Sequence, residues 1–153
     1  MIRPFFLRSL VGSIGSIGIS LLIGCAGAAK VAPVSERIAK LWSARSVDEN
    51  QTTVYSQAGT NNSRPGYTNF RLDLSNPTTV RYTEYDGSTF VGQWTVPSDT
   101  RLVLSNLSPQ PTGTNGTIDF TIGSLSAGEL IITRTGSSQK TGNTTNRYTL
   151  TAP

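Results

Sequence analysis

The chain of 153 residues has no histidine and a single cysteine, Cys25. Without histidine there is no Ser–His or Cys–His pair to activate a nucleophile, which excludes ordinary acyl transfer. Zinc sites draw chiefly on the same two residue types, so a zinc centre is not expected. A lone cysteine cannot form an internal disulfide, and stability must then come from packing and sheet hydrogen bonds. Charge is sparse as well, at 14% of residues. The formal net charge is +4, but two of the 13 Lys and Arg residues, Arg3 and Arg8, fall in an N-terminal leader, leaving 11 against 9 acidic ones. From Arg45 onward the remaining cations come singly (Arg45, Arg64, Arg71, Arg81, Arg101, Arg134, Lys140, Arg147). With no basic run, nucleic acid is not an expected partner.

The acids are equally dispersed. Asp48-Glu49 and Glu84 with Asp86 are the nearest groupings, and neither has the spacing of a calcium loop. A surface position is expected for them. Asp73, Glu84, Asp119 and Glu129 fall within strands, most of them on the polar face with Arg71, Arg81 or Thr121. Cross-strand pairing is the expected role there, rather than the paired-carboxylate chemistry of a glycosidase. No enzymatic activity, metal or cofactor is expected.

What is present begins at the N-terminus. Met1 to Arg8 is basic, and Ser9 to Ile23 is apolar and uncharged. Small residues follow, which completes the pattern of a secretory signal peptide over 1–24. An uncleaved anchor is the alternative, since Ser9 to Ala29 approaches the roughly 20 residues a spanning helix needs; such an anchor would need no cysteine at this point. Leu22-Ile23-Gly24-Cys25 resembles the lipobox of bacterial lipoproteins. That resemblance implies a diacylglycerol on the Cys25 thiol, with Gly24 giving the signal peptidase access. Two or three acyl chains hold a protein on a bilayer durably. By resemblance to Gram-negative lipoproteins, Ala26, where an Asp would imply retention at the inner membrane, implies delivery to the outer one. Residues 25–33 form a lipidated tether of small residues ending in a proline. They lack an acidic surface-export cluster, so a periplasm-facing position is expected, with the membrane itself as a partner through Cys25.

Residues 34–153 form one domain by length. Val34, Ile38 and Leu41 make an apolar stripe at i, i+4 and i+7, which predicts a short helix over 34–41. Eight residues are too few to be stable unless packed. From Trp42 onward apolar residues recur at every second position. Strands are expected over Trp42–Tyr55 with a break near Glu49-Asn50, then over Tyr67–Leu74, Thr78–Tyr85, Ser88–Val96, Thr100–Leu107, Thr117–Ile122, Glu129–Thr135 and Thr144–Thr151. Asp86-Gly87 between alternating segments is a strong hairpin signal, because both turn residues need positive φ. Short connections between successive strands give an antiparallel meander. About eight strands with one apolar face each must close into a barrel or stack as a sandwich.

Several segments in order resemble the lipocalin-like domains of uncharacterised Bacteroidetes-type lipoproteins. Ile38 to Val47 matches their opening Trp-then-strand segment. Asp86-Gly87-Ser88-Thr89-Phe90 followed by Gly92-Gln93-Trp94-Thr95-Val96 matches their central hairpin. Ile118 to Ile132 matches a strand, Leu-rich turn and strand near their end, and Lys140 to Leu150 their last hairpin. True lipocalins carry Gly-x-Trp on the first strand, whereas Trp42 here follows Lys40-Leu41. The resemblance implies an all-β, eight-stranded, calycin-like barrel with one short N-terminal helix. Trp42, Phe70, Phe90, Trp94 and Tyr148 have inward parity and are expected in the core. Tyr55, Tyr67, Tyr82 and Tyr85 flank loops, where a barrel mouth would stack on a ligand. The candidate ligand-binding residues are Tyr82, Tyr85, Tyr67 and Trp94. The expected function is a membrane-anchored, non-catalytic barrel that binds a small apolar ligand or an envelope protein. The alternative is a purely structural or interaction module with a side-chain-filled barrel, as small eight-stranded barrels can be.

Overall fold

The structure, a computed structural model, describes residues 30–153; the leader, the lipobox and Cys25 lie outside the described residues. Among the described residues nine strands form one antiparallel sheet: β1 (Leu41–Glu49), β2 (Thr52–Ser56), β3 (Arg71–Asp73), β4 (Thr79–Thr83), β5 (Thr89–Ser98), β6 (Arg101–Ser108), β7 (Ile118–Leu125), β8 (Glu129–Arg134) and β9 (Asn146–Thr151). From β3 to β9 each strand pairs with the next, as the short connections dictate. β1 pairs with β3 through Leu41 to Ser43 and with β9 through Ser43 to Glu49. That double pairing closes an eight-stranded barrel, with β2 attached outside it on the second half of β1. The outer edge of β2 is not left open. Arg64 N donates to Val54 O (3.0 Å), and Asn62 exchanges hydrogen bonds with both backbone groups of Ser56 (2.8 and 3.0 Å). Covering an edge in this way prevents it from pairing with another chain.

Alternation puts Leu72, Val80, Tyr82, Phe90, Leu102, Leu104, Phe120, Leu130, Ile132 and Leu150 inside. Bulges interrupt the parity at two informative points. In β1 the register slips between Ala44 and Ser46, so that Trp42, Ala44, Val47 and Glu49 face inward. Between β5 and β6 the register slips opposite Gly92, and Asn106 adopts φ 52°, which returns Leu107 to the interior. A Cβ on Gly92 would stand 2.5 Å from Ser105 O and 3.0 Å from Leu107 N. The glycine of Gly-x-Trp is thus required by the close approach of β6.

Some boundaries differ from the sequence expectation. The helix is a single turn, α1 (Val34–Arg37), rather than eight residues. Leu41 begins β1 and is 37% exposed, because Trp42 and Ala44 take the inward parity. The expected strand from Tyr67 is instead a 3-10 turn over Pro65–Asn69, with only Arg71–Asp73 extended. Pro65 favours such a turn start, and Gly66 lies where a Cβ would sit 2.6 Å from Tyr85 O.

The two ends of the barrel differ in character. At one, α1 lies beside Trp42, whose Nε1 donates to Ile38 O (2.8 Å), while Arg37 and Lys40 donate to the carbonyls of Leu125 and Ala127. The N-terminal segment enters the barrel here, and the C-terminus leaves here, with Ala152 N bonded to Gly128 O. The opposite end, the mouth, gathers the 3-10 turn, the Tyr85–Gly87 hairpin turn and the loops 109–117 and 135–145. Among the described residues no helix is long and apolar enough to cross a membrane.

Candidate functional site

The mouth half of the barrel is packed with rings. Phe70 stacks on Tyr148 with centroids 4.7 Å apart, and Tyr82 meets Phe70 (5.7 Å) and Phe90 (6.1 Å). Phe120 and Tyr67 each meet Tyr148 edge-on at 6.2 Å. Each such pair adds about 0.5–1.5 kcal/mol beyond the area it buries. Above the rings lies a polar layer built from two buried carboxylates. Glu49 accepts from Arg64 Nε (2.8 Å) and from Tyr67 OH (3.0 Å). Asn146 Nδ2 donates to the hydroxyls of Tyr67 (3.4 Å) and Tyr148 (3.2 Å), which links the two halves of the layer. Glu84 Oε2 lies 2.6 Å from Lys140 Nζ, and no other group bonds it among the described residues.

The loop 135–145 closes over this layer. Ser138 and Thr141 are buried, Tyr85 OH donates to Lys140 O (3.1 Å), and Lys140 Nζ reaches Asp86 Oδ2 (2.9 Å) and Ser88 Oγ (3.3 Å). Thr141 and Thr144 share a hydroxyl contact of 2.7 Å above the Asn146 amide. The space left beneath the loop is a chamber of about 10 Å³, bordered by Tyr67, Tyr82, Glu84, Lys140, Asn146 and Tyr148 among others. That is room for a single water.

These surroundings set the ionisation of the groups. Burial, then the charges of Tyr148 and Glu49, push the Tyr67 phenol far up, so it stays protonated and donates to Glu49. Burial likewise raises Tyr82 and Tyr148. Burial alone would raise the Asp86 carboxyl, but hydrogen bonds from Lys140 and Ser88 outweigh it and hold the carboxyl below its ordinary value. Burial alone would lower the Lys140 ammonium, and its bonds to Glu84 and Asp86 raise it instead.

Three of the four candidate ligand-binding residues come together here. Tyr67, Tyr82 and Tyr85 all border the chamber, Tyr67 and Tyr82 buried and Tyr85 half-buried. Trp94 does not join them. It lies near the other end with Nε1 bonded to Asn76 O (2.7 Å), beside an open hollow of about 300 Å³ that it shares with Ser35, Glu36, Ala39 and Pro77. The surface position expected for Glu49 and Glu84 is corrected: they are 7% and 6% exposed. Glu84 follows Val80 and Tyr82 in plain alternation, and the β1 bulge turns Glu49 inward. Arg134, placed among the scattered cations, is buried by the same alternation from Leu130 and Ile132.

A crystal structure of a lipocalin-like protein from Bacteroides uniformis superposes on this chain with a TM-score of 0.50. The match covers 76% of this chain and 99% of that one, at 13% identity. The fold is lipocalin-like. No protein-family model matches the chain, and no curated protein matches it. Within this lipocalin-like frame the interior that an open barrel would offer to a ligand is occupied by rings and by the polar layer. Each buried carboxylate is held by a cation, Glu49 by Arg64 and Glu84 by Lys140.

Proposed function

We propose that the protein is a non-catalytic lipoprotein of the cell envelope whose side-chain-filled barrel serves as an interaction module. The observation that carries this reading is the roughly 10 Å³ chamber, since sites for small apolar molecules measure about 300–1,000 Å³. For an apolar ligand to enter, the loop 135–145 would have to lift and the Phe70–Tyr148 stack would have to part. Anchoring is proposed through a lipid on Cys25, at the outer membrane and facing the periplasm, and it rests on the lipobox resemblance. An envelope protein is the proposed partner.

Two measurements test the reading. Native mass spectrometry of the purified Cys25→Ala protein mixed with palmitate is expected to show no stoichiometric adduct, and palmitate is expected to leave its melting temperature unmoved. A one-to-one adduct would overturn the filled-barrel reading. Metabolic labelling with a palmitate analogue is expected to mark the wild-type protein and not Cys25→Ala. Label on both, or on neither, would reject the anchor.

A further inference from the structure

A hollow at the α1 end, away from the mouth, has the size of a small-molecule site. It lies between α1, the turn before β4 and Trp94 of β5, and it measures about 300 Å³. Sites for small molecules begin at about that volume. The lining divides by chemistry: Ala39, Pro77 and Trp94 are apolar, and Ser35 and Glu36 are polar. The apolar wall is held in place. Trp94 Nε1 donates to Asn76 O (2.7 Å), and Asn76 Oδ1 accepts from the Thr78 and Thr79 amides (3.1 and 3.0 Å), which fixes the turn that carries Pro77. The charge on the hollow is of one sign. Among the described residues the Glu36 carboxylate takes part in no ion pair and no side-chain hydrogen bond. The cations next to it in the chain are turned to the β7–β8 connection, where Arg37 donates to Leu125 O (2.7 Å) and Lys40 to Ala127 O (2.5 Å). Lys40 stands four residues after Glu36, the spacing of a helical ion pair. Because α1 ends at Arg37, that spacing brings no such pair together.

We propose that this hollow binds a small aliphatic ammonium, with its hydrocarbon body against Trp94, Ala39 and Pro77 and its cationic head at Glu36. A carboxylate beside an apolar wall selects a ligand that is both oily and positively charged, and it repels an anion of the same shape. Ser35 and Glu36 are exposed, so the head keeps part of its hydration and the charge contributes modestly. The site lies apart from the rings and the polar layer of the mouth. It goes beyond the interaction module and requires neither the lipid anchor nor an envelope partner.

The test is a titration of the nitrogen-15-labelled Cys25→Ala protein with hexylammonium chloride, read by NMR at the Trp94 indole N–H. A saturable shift is expected. Sodium hexanoate, which has the same body and the opposite charge, is expected to give none. Glu36→Gln removes the charge at an exposed position and is expected to weaken binding about three- to five-fold, the size of a solvent-exposed ion pair. Ser35→Trp, which fills the hollow from its exposed side, is expected to abolish the shift. No saturable shift with hexylammonium, an equal one with hexanoate, an unchanged dissociation constant in Glu36→Gln or a shift that survives Ser35→Trp would overturn the proposal. Should Ser35→Trp fail to fold, the two titrations and Glu36→Gln decide alone.

Discussion

At the scale of single residues, Gly92 and Asp86 make contrasting demands. Gly92 has no room for a side chain, since a Cβ would press on the Ser105 carbonyl at 2.5 Å. Gly92→Ala is expected to lower stability by about 1–3 kcal/mol, the usual range for overpacking, as read from urea denaturation. An unchanged midpoint would mean that β6 yields freely at its bulge. Asp86 bears on pH. Its carboxyl is held below the ordinary 3.8, so its hold on Lys140 is present above that value and lost as pH falls through the lowered one. Lys140 is held above its ordinary 10.5, so its own contribution is full below 10.5 and lost as pH rises through the raised value. Carbon-13 NMR of the Asp86 carboxyl is expected to show a midpoint below 3.8, and Asp86 titrating at or above 3.8 would contradict the contact. Much of this layer was legible in the sequence. Glu84, Arg134 and Asn146 each extend a run of inward residues by one more step of two. Composition-based expectation, which sends charge to the surface, obscured that pattern. Glu49 was not legible by alternation from Trp42, because the bulge near Arg45 reverses the parity and is invisible in residue types.

At the scale of elements, Lys140 supplies the charged hold on the mouth loop, beside the hydrogen bonds that Tyr85 OH and Arg64 donate to the carbonyls of Lys140 and Thr141. Lys140 bonds the hairpin turn at Asp86 and Ser88 and neutralises Glu84, whereas loop 109–117 only rests against it where Gly113 meets Gln139. Lys140→Met is expected to cost up to about 3–5 kcal/mol, because it strands the buried Glu84 charge. It is also expected to speed hydrogen exchange at the Ser138 and Asn143 amides, which bond Thr144 O and Ser138 O. The double variant Lys140→Met/Glu84→Gln is expected to recover part of the loss, and a double variant no better than the single one would show that the buried charge is not the cause. Strand order and most strand positions were readable from alternation and turn residues. The strands from β3 to β9 needed only short loops to fall in sequence. The exceptions have physical causes. The stretch before Phe70 adjoins the alternating run of Phe70, Leu72 and Leu74 but begins with Pro65-Gly66, and Gly66 packs closely against the Tyr85 carbonyl within a 3-10 turn. The apolar stripe from Val34 to Leu41 reads as a helix, but Leu41 was claimed by pairing with Asp73 in β3.

At the scale of the whole molecule, closure by β1 and β9 leaves no free edge in the barrel, and both tryptophans lie in one continuous core. Unfolding is expected to be a single cooperative event in which tryptophan fluorescence and far-ultraviolet circular dichroism share one midpoint. Separate midpoints would show that the mouth and the α1 end melt independently. The placement of the chain's entry has a geometric corollary. Pro33 leads into α1 at the end remote from the mouth. If Cys25 carries the proposed lipid, residues 26–33 can keep the barrel no more than roughly 30 Å from the bilayer. The α1 end is then the end at which the tether joins the barrel, and Arg64, Asp86 and Lys140 lie at the other end, the side left free for a soluble visitor.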